Sequence, residues 1–237
     1  MGTPKRYGII TDIHANLKAL QVALAYLKNA KVEEILCLGD LVGYGDQPLE
    51  VIDLLRELPN LHCVIGNHDR YVLGDKESPR KKTALEKLEW TAKHISKEQD
   101  RFLRQMPHVM TIEEHIVIVH DALTERNAYI LTPQEISKNL NYMINNCPGR
   151  RICFYGHTHI PMLIGTKAVI TDLKETKSFQ LDKNDVYLIN PGPISQPRDK
   201  CPHAAFGIFD VEKWTMTFVR KPCDNPPAEP ITSTKRW

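Results

Sequence analysis

The sequence carries almost no net charge, because 31 Lys and Arg residues are balanced by 29 Asp and Glu residues, which leaves a formal charge of +2. Proteins that hold duplex nucleic acid through phosphate contacts usually have a basic excess or a stripe rich in Lys and Arg. This sequence has neither feature. We therefore predict no sequence-specific binding of nucleic acid, and the overall charge indicates no other class of partner.

Long hydrophobic runs are also missing. No apolar stretch approaches the roughly 20 residues that a membrane-spanning helix needs, and residues 1–7 hold no hydrophobic core of a signal peptide. The sequence thus predicts a cytoplasmic protein with no membrane partner. Its content of 42% hydrophobic and 25% charged residues is ordinary for a globular chain that folds around a core.

The six cysteines include no CxxC pair, which is the spacing typical of a thiolate metal site. Cys37, Cys63 and Cys153 lie inside apolar, strand-like runs. Cysteines in such runs usually serve as reduced thiols of the core in intracellular proteins. We expect neither disulfide bridges nor a cysteine-ligated metal.

Short β-like runs alternate with helical patterns through the first two thirds of the chain. The predicted strands are residues 7–10, 34–38, 61–65 and 115–120. The predicted helices are residues 15–29, 48–57 and 82–104, and a further helix that begins near Pro133. Such alternation is typical of βαβ units. In the first helix four leucines recur every three or four residues, which predicts one buried face with Asn16 as the N-cap.

From residue 151 onward the pattern consists of short strands and no helix. These predicted strands are residues 152–155, 162–164, 168–171, 178–181, 186–189, 205–209 and 214–219. We infer an α/β fold in which two sheets form a sandwich with helices outside, built as a single domain over residues 1–221. Residues 222–237 hold four prolines and little to bury, so we predict an extended or disordered C-terminal tail.

Polar motifs follow the predicted strands at the point where each strand ends. They are Asp12-Ile13-His14, Gly39-Asp40, Gly66-Asn67-His68-Asp69, the single His120, and Gly156-His157-Thr158-His159. In open sheets with crossover helices, ligands bind beyond the carboxyl ends of the strands, where loops from separate strands converge. We therefore expect these motifs to form one site.

Carboxylate oxygen and imidazole nitrogen without thiolate suit divalent transition metals such as Mn, Fe, Co, Ni or Zn. The motifs supply seven such groups: Asp12, His14, Asp40, Asn67, His120, His157 and His159. Seven ligands are too many for one tetrahedral zinc but suit two metals about 3.5 to 4 Å apart that share a carboxylate. We predict two divalent ions, with Asp40 shared between them.

The charge of such a site indicates its substrate. Two divalent ions contribute +4, Asp12 and Asp40 subtract two, and a hydroxide subtracts one, so the site keeps a charge of about +1 that favours an anion such as a phosphate ester. The ions would lower the pKa of a water molecule and supply hydroxide for in-line attack. His68 is left free of the metals. It could protonate the departing alkoxide as general acid or contact a phosphate oxygen.

This series of motifs resembles the calcineurin-like metallophosphoesterases, whose pattern is D-x-H, G-D, G-N-H-D/E, H and G-H-x-H. The match covers residues 7–161, and the segment INPGPISQPRD at residues 189–199 is similar to a loop of the small prokaryotic-type phosphodiesterase and phosphatase branch. The resemblance implies a four-layer αββα sandwich with two mixed sheets. It places one metal at Asp12, His14, Asp40 and His159, and the other at Asp40, Asn67, His120 and His157. It also makes His68 the catalytic histidine.

The sequence departs from relatives in two places. Serine/threonine protein phosphatases of this superfamily carry G-D-x-V-D-R-G, whereas this chain has Gly39-Asp40-Leu41-Val42-Gly43-Tyr44-Gly45, so we expect no protein phosphatase. The usual His-Gly is His120-Asp121 here. Arg198 could replace the missing phosphate-binding arginine, or it could be a solvated side chain in a turn. Asp69 is expected to be a hydrogen-bond partner of the site and not a ligand.

The leading hypothesis is therefore a dimetal hydrolase of a small phosphoester, such as a cyclic nucleotide, a dinucleotide or another diester, bound through Asn67, His68 and Arg198. One alternative is a non-catalytic protein-binding scaffold on the same fold, similar to the retromer subunit with its degenerate metal site. The presence of His68 argues against it. A DNA nuclease is a third possibility, but the chain lacks extra domains for gripping long nucleic acid. Ester class, native metal and oligomeric state depend on surfaces that the motifs do not describe.

Overall fold

The computed structural model describes residues 5–75 and 82–223. The strands are β1 Arg6–Ile10, β2 Glu34–Cys37, β3 Leu61–Cys63, β4 Val109–Ile112, β5 Ile116–Val119, β6 Ile152–Phe154, β7 Met162–Gly165, β8 Val169–Ile170, β9 Lys177–Gln180, β10 Tyr187–Asn190, β11 Ala204–Asp210 and β12 Thr215–Lys221. The helices are α1 Leu17–Asn29, α2 Pro48–Arg56, α3 Asn67–Val72, α4 Lys82–His94, α5 Lys97–Gln105 and α6 Pro133–Asn146. The predicted C-terminal tail lies outside the described residues from residue 224 onward.

The strands form two mixed sheets of six strands each. The first has the order β3-β2-β1-β11-β12-β9, with the first three strands parallel to one another and the other neighbours antiparallel. The second has the order β4-β5-β6-β10-β7-β8, in which β5, β6 and β10 run parallel. In each sheet the carboxyl ends of the parallel strands point to one edge. The polar motifs lie at this edge, because each of them follows one of these strands.

Apolar side chains alternate between the two faces of the central strands and build three separate clusters. Tyr7 and Ile9 of β1 meet Phe154 and Ile189 of the second sheet in the core between the sheets. Ile10, on the other face of β1, packs with buried residues of α1, α2, α4 and α5. Helix α6 covers the outer face of the second sheet. The predicted four-layer αββα sandwich is confirmed.

Helix α1 begins where the sequence predicts, because the Asn16 side chain accepts a hydrogen bond from the backbone N–H of Ala19 at 3.0 Å. Two of the four leucines in the predicted stripe, Leu20 and Leu27, are fully buried. Leu17 and Leu24 are half-buried, and the small residues Ala19 and Ala23 complete the buried face. The buried face thus lies slightly to one side of the leucine stripe.

The predicted continuous helix over residues 82–104 is wrong, since the structure has two helices, α4 and α5, with a break at residues 95 and 96. Ser96 caps α5 by accepting a hydrogen bond from Gln99 N at 3.2 Å, and the Gln99 side chain accepts one from Ser96 N at 2.9 Å. This reciprocal capping box competes with helix continuation. The apolar period continues across the break, which is why periodicity alone indicated one helix.

Two further elements, β4 and the six-residue α3, were not predicted from the sequence. Cys37, Cys63 and Cys153 are buried thiols within the core, as predicted. No helix among residues 5–75 and 82–223 is both long enough and apolar enough to cross a bilayer.

Candidate metal centre

Every predicted motif lies just beyond the carboxyl end of a strand. Asp12 follows β1, Asp40 follows β2 and Asn67 follows β3, all in the first sheet. His120 directly follows β5, and the Gly156–His159 motif follows β6, both in the second sheet. The site therefore lies across the end of the sandwich, and each sheet contributes side chains to it.

The backbone of these loops is unusual, because five of the candidate ligands have positive φ angles. The values are 52° for Asp12, 50° for His14, 55° for Asp40, 65° for His157 and 58° for His159. Residues other than glycine rarely adopt this conformation, which costs on the order of 1–3 kcal/mol per residue and clusters at functional sites. Hydrogen bonds between loops stabilise it here, such as those from Ile13 N and His14 N to Asp40 O at 2.9 and 3.0 Å.

One group of candidate ligands consists of Asp12, His14 and His159, all buried. Asp12 Oδ1 lies 3.4 Å from His159 Nε2 and 3.9 Å from His14 Nε2. The Asp12 carboxylate also accepts a hydrogen bond from Thr11 Oγ1 at 3.0 Å, which orients it. Burial, with a further contribution from the Asp40 charge, raises the pKa of Asp12 to about 7, so the carboxylate is only partly ionised at neutral pH, and a nearby cation would favour its charged form.

The two histidines of this group direct lone pairs at each other. His14 Nδ1 donates to Val42 O at 3.1 Å and His159 Nδ1 donates to Gln196 O at 2.7 Å, because a carbonyl can only accept. Each Nε2 atom is then unprotonated in the neutral ring, yet the two lie 3.0 Å apart. Burial lowers the pKa of both rings well below the usual value. A divalent cation between them fits this arrangement of donors.

A second group consists of Asp40, His120 and His157. His120 Nδ1 donates to Leu38 O at 2.7 Å, and its Nε2 lies 3.4 Å from Asp40 Oδ2 and 3.1 Å from Asn67 Oδ1. Burial alone would lower the pKa of His120, but the Asp40 carboxylate outweighs it and raises this pKa to about 10. Although burial by itself would raise the pKa of Asp40, positive His120 holds it well below the usual range.

Asp40 lies between the two groups, because its Oδ2 atom is also 3.7 Å from His14 Nε2. His157 Nε2 donates to Asn127 O at 3.3 Å, so Nδ1 is the ring nitrogen that remains available as a ligand. The ligand atoms within each group lie within 4.8 Å of one another. The structure thus brings all seven predicted ligand residues together, with Asp40 in the shared position.

Asp69 organises the loops without facing the two groups as a ligand. Its carboxylate accepts hydrogen bonds from Asp40 N and Leu41 N, both at 2.9 Å, and from Gly66 N at 3.0 Å. Burial raises the pKa of Asp69 to about 6. Gly66 is required beside it, because a Cβ atom there would lie 2.1 Å from Asp40 Oδ1. Asp69 thereby joins the loop after β2 to the start of α3.

His68, on α3, is buried beside the candidate ligands. Its Nε2 lies 3.9 Å from Asp40 Oδ2, and its ring contacts the ring of His14 edge-on, with centroids 4.7 Å apart. Its ligand atom also groups with those of Asp40 and His14, so this nitrogen is within reach of a cation as well as of a substrate. His68 Nδ1 is buried without a hydrogen-bond partner among the described residues. Gly43 faces that atom, at the position where protein phosphatases carry an aspartate.

Arg198 is half-buried at the edge of the site. Its backbone N–H donates to His159 O at 3.1 Å. Its guanidinium charge adds to the effect of burial in lowering the pKa values of His14 and His159. The loop that carries Arg198 is anchored by a buried ion pair between Arg220 and Asp199. These contacts hold the Arg198 backbone beside the candidate ligand His159 in a turn that is tied to the core, and the guanidinium donates to Thr158 O at 3.5 Å.

Sequence reasoning missed or undervalued three residues around the site. Tyr44 contacts His14 edge-on at 4.8 Å between ring centroids, and Tyr129 stacks on His157 at 4.4 Å. Asn190, at the end of β10, donates to Gly156 O at 2.8 Å and thus supports the loop of the last motif. The sequence contains only a weak signal for them, since single Tyr and Asn residues in loops are common.

Comparisons with known proteins agree with this architecture. The family model of the calcineurin-like phosphoesterase superfamily domain matches residues 6–214. An uncharacterized protein of Methanocaldococcus jannaschii is 38% identical over 221 residues, which cover 90% of this chain and 85% of the relative. A symmetrical bis(5'-nucleosyl)-tetraphosphatase of Erwinia tasmaniensis is 31% identical over 120 residues, or 49% of this chain and 44% of that protein.

Among solved structures, the fold is similar to a metallophosphoesterase from Sphaerobacter thermophilus, with a TM-score of 0.79 and 31% identity over 93% of this chain and 89% of that one. A hypothetical protein from Pyrococcus horikoshii OT3 superposes with a TM-score of 0.72 at 19% identity, over 92% of this chain and 88% of the other. The extent of the family match leaves one assignment: this chain belongs to the calcineurin-like phosphoesterase superfamily.

Proposed function

We propose that this protein is a hydrolase that uses two divalent transition-metal ions to cleave a phosphoester bond in a small substrate. The observation that carries the proposal is the pair of buried ligand groups joined by Asp40. Superfamily membership supports phosphoesterase activity in general. When bound, two such ions supply hydroxide from water near neutral pH and hold phosphoryl oxygens for in-line displacement.

The candidate ligands would divide between the ions as the motifs suggest. Asp12, His14 and His159 would hold one ion, and His120, His157 and Asn67 the other, with Asp40 shared. The grouping of the ligand atoms supports this division, and the Nδ1 atoms of His14, His159 and His120 donate to backbone carbonyls, which leaves Nε2 for a metal. Mn, Fe, Co, Ni and Zn all suit this set of nitrogen and oxygen ligands.

His68 would act on the leaving group. Burial lowers the pKa of His68, so its ring is neutral near pH 7 before substrate binds. An anionic phosphoester beside the ring favours the imidazolium, which can then give its proton to the departing alkoxide. Since Nδ1 has no partner among the described residues, the ring keeps its orientation through packing against His14 and Tyr44.

Substrate binding would involve Arg198 together with Asn67 and His68. The Arg198 guanidinium contributes positive charge to the site, which matches a phosphate oxygen. The local similarity to a bis(5'-nucleosyl)-tetraphosphatase supports a nucleotide-like phosphoester as the first class to test. The rings of Tyr44 and Tyr129 at the site are consistent with a substrate that carries a base.

The test is hydrolysis by the chain loaded separately with Mn, Fe, Co, Ni or Zn, using a chromogenic phosphate diester, a chromogenic monoester and diadenosine tetraphosphate. We expect about two ions per chain by elemental analysis and hydrolysis of at least one substrate. His68→Ala should lower kcat by roughly 10²–10⁴-fold with metal content unchanged, the range typical of a general acid. Glu125→Gln is the matched control, because it changes an exposed side chain in the loop that follows β5.

Three outcomes would contradict the proposal or a part of it. A metal content near zero under saturating supply would remove the ions, and a stable complex with another protein would then favour the scaffold alternative. Unchanged kcat in His68→Ala would remove this residue from the chemistry. Salt-dependent binding of duplex DNA by the loaded chain would instead favour a nuclease.

A further inference from the structure

Asp121 occupies the position where the superfamily motif has glycine, and its side chain is buried and hydrogen-bonded within the loop beside the site. The residue is 5% exposed, and its Oδ2 atom accepts a hydrogen bond from Asn127 N at 2.7 Å. That bond closes the loop of residues 121–127 directly after the candidate ligand His120. A glycine at this position would leave the N–H of Asn127 without this acceptor.

Arg70 joins the same loop to helix α3. Its guanidinium is buried and donates a short hydrogen bond to Asn127 Oδ1. It also lies 3.8 Å from Asp121 Oδ2 and 3.4 Å from Asp75 Oδ2, so its charge is paired with two carboxylates. Because Asn127 receives one bond from Arg70 and gives one to Asp121, both its side chain and its backbone are held.

The backbone carbonyl of Asn127 then contacts the candidate ligand His157. Asn127 has a left-handed backbone with φ of 60°, and its carbonyl accepts from His157 Nε2 at 3.3 Å. This bond selects the ring tautomer with the proton on Nε2, which leaves the Nδ1 lone pair for a metal. Tyr129, two residues further along, stacks on the same ring at 4.4 Å.

We propose that Asp121 and Arg70 are positioning residues that hold the Asn127 carbonyl against His157 and so set the affinity of the ion bound by His157. The inference rests on the two-metal centre of the proposed function. Outer hydrogen-bond partners of metal-ligating histidines typically change metal affinity by about 10–100-fold when they are removed. The effect should be confined to one ion, since His14 and His159 are oriented by the carbonyls of Val42 and Gln196 in other loops.

The first measurement is a calorimetric titration of the metal-free chain with Mn²⁺. We expect Asp121→Ala to weaken the binding of one ion by about 10–100-fold and to leave the other ion unchanged. Asp121→Asn should recover most of the affinity, because its side-chain oxygen can still accept from Asn127 N. Glu125→Ala is the matched control, because it removes a carboxylate from the same loop. The Glu125 side chain is 66% exposed, and in the described structure it pairs only with the exposed Lys138, at 3.3 Å.

The second measurement reads the tautomer of His157 without any metal. Long-range proton–nitrogen NMR of the metal-free chain, with the ring assigned through His157→Gln, should show the proton on Nε2 in the wild type. In Asp121→Ala the signals should shift toward a mixture of the two neutral tautomers. Arg70→Gln should shift them in the same direction, and it serves in place of Asp121→Ala if that variant does not fold.

Folded Asp121→Ala with wild-type affinity for both ions and an unchanged His157 tautomer would overturn the inference. Equal weakening of both ions with the tautomer intact would also overturn it, because that pattern indicates general loosening of the fold. These results leave the proposed function standing if the wild type binds two ions and hydrolyses a phosphoester. A wild type that binds no ion would overturn the metal centre and this inference together.

Discussion

His14 Nε2 and His159 Nε2 lie 3.0 Å apart, although neither nitrogen has a proton to donate when its Nδ1 atom donates to a backbone carbonyl. Two buried lone pairs at this distance repel each other unless a cation lies between them. The carboxylate of Asp12 lies within 4 Å of both atoms. The folded protein therefore holds a candidate ligand set whose lone-pair repulsion a bound cation would relieve.

Metal should consequently stabilise the fold. A ligand that binds only the native state adds about 2.7 kcal/mol at 100 times its dissociation constant. We expect Mn²⁺ to raise the Tm of the metal-free chain, and a chelator to reverse the increase. His159→Ala should lose much of this increase and retain about one ion per chain. A wild-type Tm that does not respond to saturating Mn²⁺ would contradict the expectation.

Metal binding should release protons in a number that depends on pH. In the metal-free chain the pKa of Asp12 is raised to about 7 and that of His120 to about 10, so both groups hold protons at pH 6. A metal needs both in the deprotonated form, so we expect these two side chains to release about two protons at pH 6 and about one at pH 8.5, in addition to any proton lost by metal-bound water. Affinity should therefore increase as pH rises.

The release can be measured by calorimetry in buffers of different ionisation enthalpy. His14 and His159 contribute no protons, because their pKa values are already lowered by burial. His120→Ala should remove the proton that the His120 side chain releases at pH 8.5. An affinity that falls with rising pH over this range would show that the sign of the argument is wrong.

Gly43 should be necessary for the position of His68. A Cβ atom at Gly43, where φ is +88°, would lie 2.2 Å from His68 Nδ1. We expect Gly43→Ala to displace the His68 ring and to lower kcat by at least about 100-fold, with metal content unchanged. Gly74→Ala is a matched control, because Gly74 has a similar φ of +98° and a Cβ atom there would meet no described residue within 4 Å. Both variants place alanine at a similar positive φ, so equal loss of activity would point to backbone strain and not to His68.

Arg198 should act on substrate binding. A hydrogen bond to a charged group contributes about 1.5–3 kcal/mol, so Arg198→Gln should raise KM for a phosphoester by roughly 10–100-fold with a smaller effect on kcat. Lys200→Gln, an exposed change in the same loop, should leave both constants near the wild-type values. A KM unchanged in Arg198→Gln would support the solvated-turn interpretation of this arginine.

The order and spacing of the motifs were enough to predict which side chains meet. Asp12 and His157 are 145 positions apart and follow parallel strands of different sheets, and in each sheet the carboxyl ends of the parallel strands point to the edge where the site lies. The same reasoning predicted the two sheets and their outer helices, because strand and helix periods differ. Hydrophobic periodicity did not predict that residues 82–104 divide into two helices, although the capping signal Ser96-Lys97-Glu98-Gln99 was present in the sequence.

The sequence alone determined three features: the donor atoms of the site, the strand ends on which these atoms lie, and the layered fold. The tertiary structure decided the tautomer of each histidine, the burial of His68 Nδ1 away from any hydrogen-bond partner in the described part of the chain, and the link from Asp121 through Asn127 to His157. The reason is physical. A motif specifies which atoms can bind, but the direction of a lone pair depends on a hydrogen bond to a carbonyl from a distant loop, and only the folded chain brings that carbonyl into place.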